Sequence, residues 1–177
     1  MIEDVLLKWR FKQGNTRALG RIYEKYVNFL LTMAMGLLND RASAEDVVHD
    51  IFARLTASSN DFKLEGSLKS YLATCVLNRS RDMLRASSGK TADINAAVNI
   101  ASDDNTVQKI IGNERSEKIA NALSQLPDKQ REVMVMHFKA GMKFRQIAKL
   151  QDASINTVQS RFRYGRDKLR SVLDSEV

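Results

Sequence analysis

Residues 144–169, FRQIAKLQDASINTVQSRFRYGRDKL, read as two helices joined by a tight turn, and this segment decides how the rest of the chain is understood. Phe144, Ile147 and Ala148 share one face of the short first helix, where a small Ala lets a second helix cross closely. A turn is expected at Gln151-Asp152-Ala153, with Ser154 as the N-cap of the second helix. That helix places Val158, Phe162, Leu169, Val172 and Leu173 on one stripe at helical spacing. Its other face carries Asn156, Gln159, Ser160, Arg163 and Tyr164. These are donors, acceptors and a ring, the groups a helix in the major groove uses on base edges and phosphates. Residues 143–170 hold eight Lys/Arg against two Asp, a net of +6. The pattern is that of a helix-turn-helix; it also fits an ordinary amphipathic hairpin with a solvated basic face, and the remaining sequence has to separate the two.

The net charge of +7 over 177 residues is unevenly spread. Residues 1–88 contribute +3, residues 89–110 contribute −1 and residues 111–177 contribute +5. A basic C-terminal third favours a polyanion, although charge by itself does not separate DNA from RNA or anionic lipid. One Pro and few Gly favour helix throughout, and no stretch alternates with period two for long enough to argue a strand. Cys75 stands alone, so no disulfide framework is expected and a reducing compartment fits. The longest apolar stretch, Val27 to Leu38, is too short to span a bilayer. Glu3 and Asp4 precede any apolar run, so no secretory signal is expected. These features describe a soluble, cytoplasmic protein.

Four helices are expected in the N-terminal half. Ile2, Val5, Leu6 and Trp9 mark the buried face of the first, which stops near Gly14. Leu19, Ile22, Tyr23, Tyr26, Phe29, Leu30, Met33 and Leu37 mark a long second helix ending at Asn39-Asp40. Ser43 and Asp46 resemble a capping-box start for the third, whose inner positions are Val47, Val48, Ile51, Phe52 and Leu55. After a polar loop from Ala57 to Gly66, a fourth helix turns Leu68, Tyr71, Leu72, Cys75, Val76, Met83 and Leu84 inward. Periodicity then collapses between Ala86 and about Asn105, as in an interdomain linker. It returns with Ile110, Ile119, Leu123 and Leu126. Pro127-Asp128 suits the first turn of a helix with Val133, Met134 and Phe138 inward, ended by Gly141. The fold class expected is all-α: a helical domain over residues 1–86, a linker over 87–109, and a second helical domain over 110–177 that contains the helix-turn-helix.

Three ordered blocks carry a family resemblance. They are Ala44 through Phe52, then Phe62 through Leu84 with Tyr71-Leu72, Asn78 and Asp82, then Leu123 through Leu173 with Leu126-Pro127, Arg131-Glu132-Val133, Ile147-Ala148 and Thr157 through Arg161. In order and spacing the chain resembles the extracytoplasmic-function branch of the sigma-70 family of bacterial RNA polymerase initiation factors. It departs from the family pattern at Gln151, Asp152 and Ala153 in the turn, at His49 and at Tyr71. Asp tolerates the left-handed backbone better than most residues, so the turn remains feasible, while Gln151 suggests a thinner core there.

The resemblance implies three surfaces. Asp46, His49, Asp50 and Arg54 would dock on the clamp helices of the largest polymerase subunit, and a mixed-charge helix face suits specific docking. Phe62 and Lys63, with Asn78, would capture a melted base of the −10 element, while Arg79, Arg81 and Arg85 contact phosphates of the strand. Phe62 is equally compatible with a loop anchor, and Tyr71 shares the buried spacing. Asn has poor helix propensity in mid-helix, so Asn78 calls for a reason. Asn156, Thr157, Gln159, Ser160, Arg163 and Tyr164 would read the −35 element. Further implied partners are the flap of the second-largest subunit, promoter DNA and an anti-sigma factor. No metal and no cofactor are expected, because His49, His137 and Cys75 lie on different helices and form neither a ligand set nor a triad. No phosphate loop, nucleophile elbow or paired carboxylates argue for an enzyme. A dimeric helix-turn-helix regulator of duplex operators and a purely protein-binding helical module are the two competing functions. The first would bind DNA specifically without polymerase, and the second leaves the outward face of the last helix idle.

Overall fold

Helix α2, Thr16–Leu38, organises the N-terminal half because it is apolar on most of its circumference. Asn15 caps its start by accepting the Arg17 N–H at 3.0 Å. Asn39 ends it in the left-handed region at φ +53°, where its short polar side chain lowers the usual steric cost. Asp40 then accepts the Ser43 N–H at 2.8 Å and starts α3, Arg41–Ala57, at once. The cap is therefore Asp40 rather than Ser43, because the reversed chain after Asn39 leaves Asp40 facing the first free N–H groups. Helices α1, Ile2–Lys12, and α4, Leu68–Ser88, complete this group around α2. The structure, a computed structural model, describes residues 2–57, 67–88 and 118–174. All elements among the described residues are helices, as the all-α expectation required.

Ile22, Leu30, Met33, Val47, Val48, Leu68, Leu72, Val76 and Leu77 form the buried centre of this group. The expected face of α1 is corrected. Leu7 and Phe11 are buried, whereas Val5, Leu6 and Trp9 are exposed. Apolar residues occupy both sides of that helix, so periodicity could not choose between them; Leu7 and Phe11 pack into the core, and Lys25 of α2 lies 2.9 Å from Asp4.

The second group begins with α5, residues 118–124. It continues with α6, Asp128–Phe138, α7, Phe144–Gln151, and α8, Ile155–Asp174. Pro127 precedes α6 and its carbonyl accepts from Gln130 and Arg131 at 2.9 and 3.0 Å. Val133, Met136, Ile147 and Val158 are completely buried between these helices. Phe138 and Leu173, expected inward, are exposed, although Phe138 keeps ring contacts with His137 and with Phe162 of α8. At Gly165 the crossing of α8 over α6 is so close that a Cβ would sit 3.2 Å from Met134 Cγ. Gly165→Leu is therefore expected to cost about 1–3 kcal/mol by overpacking. A urea melt checks this, and an unchanged midpoint would mean that Met134 can simply move aside.

The two groups pack against each other through α2 and α6. A Cβ on Gly36 would lie 3.1 Å from Val135 Cγ2 and 3.6 Å from Leu123 Cδ1, so glycine permits this approach. Arg131 binds the seam from the other side. Its guanidinium donates to the carbonyls of Leu123, Ser124 and Leu126 within its own group and, at 3.0 Å, to Leu37 at the end of α2. Helix ends leave such carbonyls without intrahelical donors. Most of the stretch expected to be a linker lies outside the described residues, and α4 runs on through Ser88.

Candidate nucleic-acid interface

The turn between α7 and α8 is built as a left-handed stop. Asp152 adopts φ +46°, and its N–H and that of Ala153 both return to the Ala148 carbonyl. Ser154 accepts the Thr157 N–H at 3.0 Å and lies 2.9 Å from the Thr157 hydroxyl, which fixes the first turn of α8. Val158 is the anchor of this helix and is fully buried. Asn156, Thr157, Gln159, Arg163 and Tyr164 consequently face outward, with Ser160 half-buried beside them. Arg163 stands 5.4 Å from the Tyr164 ring centroid, a cation–π arrangement that leaves N–H groups free to donate. Behind the helix, His137 stacks on Phe144 at 4.7 Å and meets the edge of Phe162 at 5.0 Å, with its Nδ1 3.0 Å from the Met142 carbonyl. Its ring belongs to the packing of the motif.

In the N-terminal group, Asp46, His49 and Arg54 are exposed on α3, and Asp50 is partly so. Asn78 is exposed on α4 and borders a cleft of about 210 Å³ between α3 and α4. Asp50, Arg54, Tyr71, Cys75 and Arg79 also line it, so residues assigned to docking and to strand capture share one depression. Arg79 is bonded to Asp50, with Nε and Nη2 at 2.7 and 2.6 Å from Oδ2. Burial raises the Cys75 thiol despite the Tyr71 hydrogen bond and the Arg54 charge, so it stays protonated. Burial, with Cys75 alongside, also pushes the Tyr71 hydroxyl up to about 12. Arg85 is exposed, 3.9 Å from Asp82. Phe62 and Lys63 lie outside the described residues. No cluster of His, Cys, Asp and Glu able to hold a metal occurs among the described residues.

Arg81 is placed differently from its neighbours. Its Nε and Nη2 each donate to a carboxylate oxygen of Glu132 at 2.6 Å, and its Nη1 donates to the Leu150 carbonyl at 3.1 Å. A phosphate role for Arg81 requires that this pair open. Gln151 donates to the same carboxylate at 2.7 Å and to the Lys129 carbonyl at 3.0 Å, and accepts from Arg161 at 2.7 Å. The thin core expected at Gln151 is thus corrected: the side chain is buried and fully hydrogen-bonded. Burial alone would raise the Glu132 carboxyl, but hydrogen bonds from Arg81 and Gln151 and the charges of Arg81 and Lys129 outweigh it and hold the group below the usual range. Glu132, Gln151 and Gly165 are the structural residues that periodicity missed. A Glu and a Gln at otherwise apolar helical positions were the available signal.

Comparison with known proteins accounts for this arrangement. Residues 22–89 match Sigma-70 region 2, and residues 116–169 match Sigma-70, region 4. RNA polymerase sigma factor CnrH of Cupriavidus metallidurans is 25% identical over 182 residues, covering 98% of this chain and 95% of that protein. The ECF RNA polymerase sigma factor SigK of Mycobacterium tuberculosis is 25% identical over 176 residues, covering 97% and 93%. A probable RNA polymerase sigma factor RfaY of Xanthomonas campestris is also 25% identical, and the match spans 90% of this chain but only 41% of that longer protein. Among solved structures, CnrH in complex with the cytosolic domain of CnrY superposes with a TM-score of 0.72 at 23% identity, over 99% of both chains. The sigma factor RpoE of Bartonella quintana, in complex with the anti-sigma factor NepR, gives 0.66 at 21% identity over 87% of this chain and 97% of that one. Two family regions in order, an all-helical fold and full-length relatives agree, and the chain belongs to the extracytoplasmic-function branch of the sigma-70 family.

Proposed function

We propose that this chain binds core RNA polymerase and directs promoter recognition, DNA melting and transcription initiation, leaving catalysis to the polymerase. The observation that carries this reading is the outward face of α8, where Asn156, Gln159 and Arg163 stand exposed above a helix start fixed by Ser154. On this reading α8 reads the −35 duplex, and the α4 surface around Asn78 takes the melted −10 strand. The exposed side of α3 docks on the clamp helices, the second domain meets the flap, and the segment between them passes through the polymerase. The solved complex of the sigma factor RpoE with the anti-sigma factor NepR supports a further partner, an anti-sigma factor. The domain limits proposed remain 1–86 and 110–177, and the site of action is the cytoplasm. No helix among the described residues is long and apolar enough to cross a membrane.

Purified core polymerase supplied with this chain is expected to initiate at promoters that core alone ignores. Failure on every promoter, together with tight specific duplex binding by the free chain, would establish the dimeric operator-binding regulator instead. Within the active complex, Gln159→Ala should relax preference at one upstream base pair by about 1–3 kcal/mol, the worth of a bidentate contact to adenine. A base-by-base promoter profile identical to that of the unaltered protein would remove Gln159 as a reader.

A further inference from the structure

The bonds around Glu132 run without a break from the strand-binding helix to the recognition helix. Arg81 of α4 grips both carboxylate oxygens, Gln151 at the end of α7 donates to one of them, and Arg161 of α8 donates to Gln151. The two-pronged grip of Arg81 on Glu132 has the geometry with which an arginine holds a phosphate. With Nη1 also committed to the Leu150 carbonyl, Arg81 has its principal donors engaged and is mostly buried. The joint is not perfectly sealed. The Ser80 hydroxyl, next in sequence to Arg81, is buried without a hydrogen-bond partner, beside a gap of about 10 Å³ bounded by Leu37, Leu84, Arg131 and Glu132.

We propose that Glu132 is an internal stand-in for a DNA phosphate: it holds the two lobes together through Arg81 and withholds that residue from the single strand until the lobes part. The inference rests on the reading of α4 as the strand-binding helix. Strand binding and lobe closure then compete for one guanidinium, and each weakens the other. Because Gln151 bonds the same carboxylate and Arg161 bonds Gln151, the competition also reaches the base of the recognition helix.

The test uses the full chain, with small-angle X-ray scattering for its dimensions and fluorescein-labelled poly(dT) for strand binding. Glu132→Gln keeps the shape of the side chain and removes its charge. It is expected to enlarge the radius of gyration and to tighten poly(dT) binding about tenfold, the gain if the competent fraction rises from near one tenth to one. Arg81→Gln should enlarge the chain equally without tightening poly(dT), since the contacting group is gone. Circular dichroism accompanies both, and if Glu132→Gln loses helicity the Arg81→Gln dimensions decide. Compact dimensions in the variants that stay folded overturn the latch. Expansion with unchanged poly(dT) affinity in Glu132→Gln overturns the phosphate mimicry. Expansion and tightening in a protein that fails to direct transcription by core polymerase would uphold the latch and remove the functional reading instead.

Discussion

Asn78→Ala is expected to depress initiation on closed duplex promoters on the order of 10²-fold while sparing templates already melted around the −10 element. Extruding a base requires unpairing and unstacking, which costs a few kcal/mol, and a capture pocket must offset that only when the duplex is closed. Asn78 stands exposed at the rim of the cleft between α3 and α4. Alanine is the better helix former at an exposed helical position, so the substitution should not weaken the fold. Abortive transcript yields from paired duplex and pre-melted templates give the comparison directly. Equal losses on both would turn Asn78 into a simple strand contact, and normal activity on both would end its part in capture.

Reversing charge at Asp46 and Asp50, as Asp46→Lys with Asp50→Lys, should abolish co-purification with core polymerase. Like charges placed across a formed interface cost several kcal/mol. Asp50 carries a complication, because it also bonds Arg79. Arg79→Ala alone removes that ion pair and keeps both acidic charges, so it isolates the structural contribution. The pair is partly exposed and is worth no more than about 1 kcal/mol, so helicity should survive in every variant. If the doubly reversed protein still co-purifies with polymerase, α3 is not the principal docking surface.

Much of the architecture could be read from helical periodicity. Val47, Val48, Ile51, Phe52 and Leu55 repeat on one side of α3 with polar residues opposite, and each is buried. The same rule failed on α1, where apolar residues ring the helix and tertiary packing selected Leu7 and Phe11. It failed again at Phe138 and Leu173, since a period identifies a face but not how completely neighbouring side chains cover it. The left-handed Asp152 was legible because Asp is among the few non-glycine residues that accept that conformation. Outward residues of α8 followed from its buried anchors. The partners of Arg79 and Arg81 did not, because periodicity carries no information about which helix from a distant part of the chain will meet a given side chain. Glu132 and Gln151, polar at inward positions, were the clue that a buried polar contact was needed there.

The seam between the lobes also bears on the order in which the molecule assembles. Bonds across it join residues far apart in the chain, 51 positions between Arg81 and Glu132 and 94 between Leu37 and Arg131, whereas Arg79 and Asp50 within one lobe are 29 apart. Helices and short-range contacts form on microsecond scales, and closing a loop twice as long adds only about 0.6 kcal/mol of entropy. Each lobe can thus complete its own core before the two meet. During synthesis α4 emerges well before α6, so Arg81 waits in solvent for a carboxylate not yet made. Docking of the lobes is then expected to follow the formation of each lobe, because its contacts join the residues farthest apart in the chain.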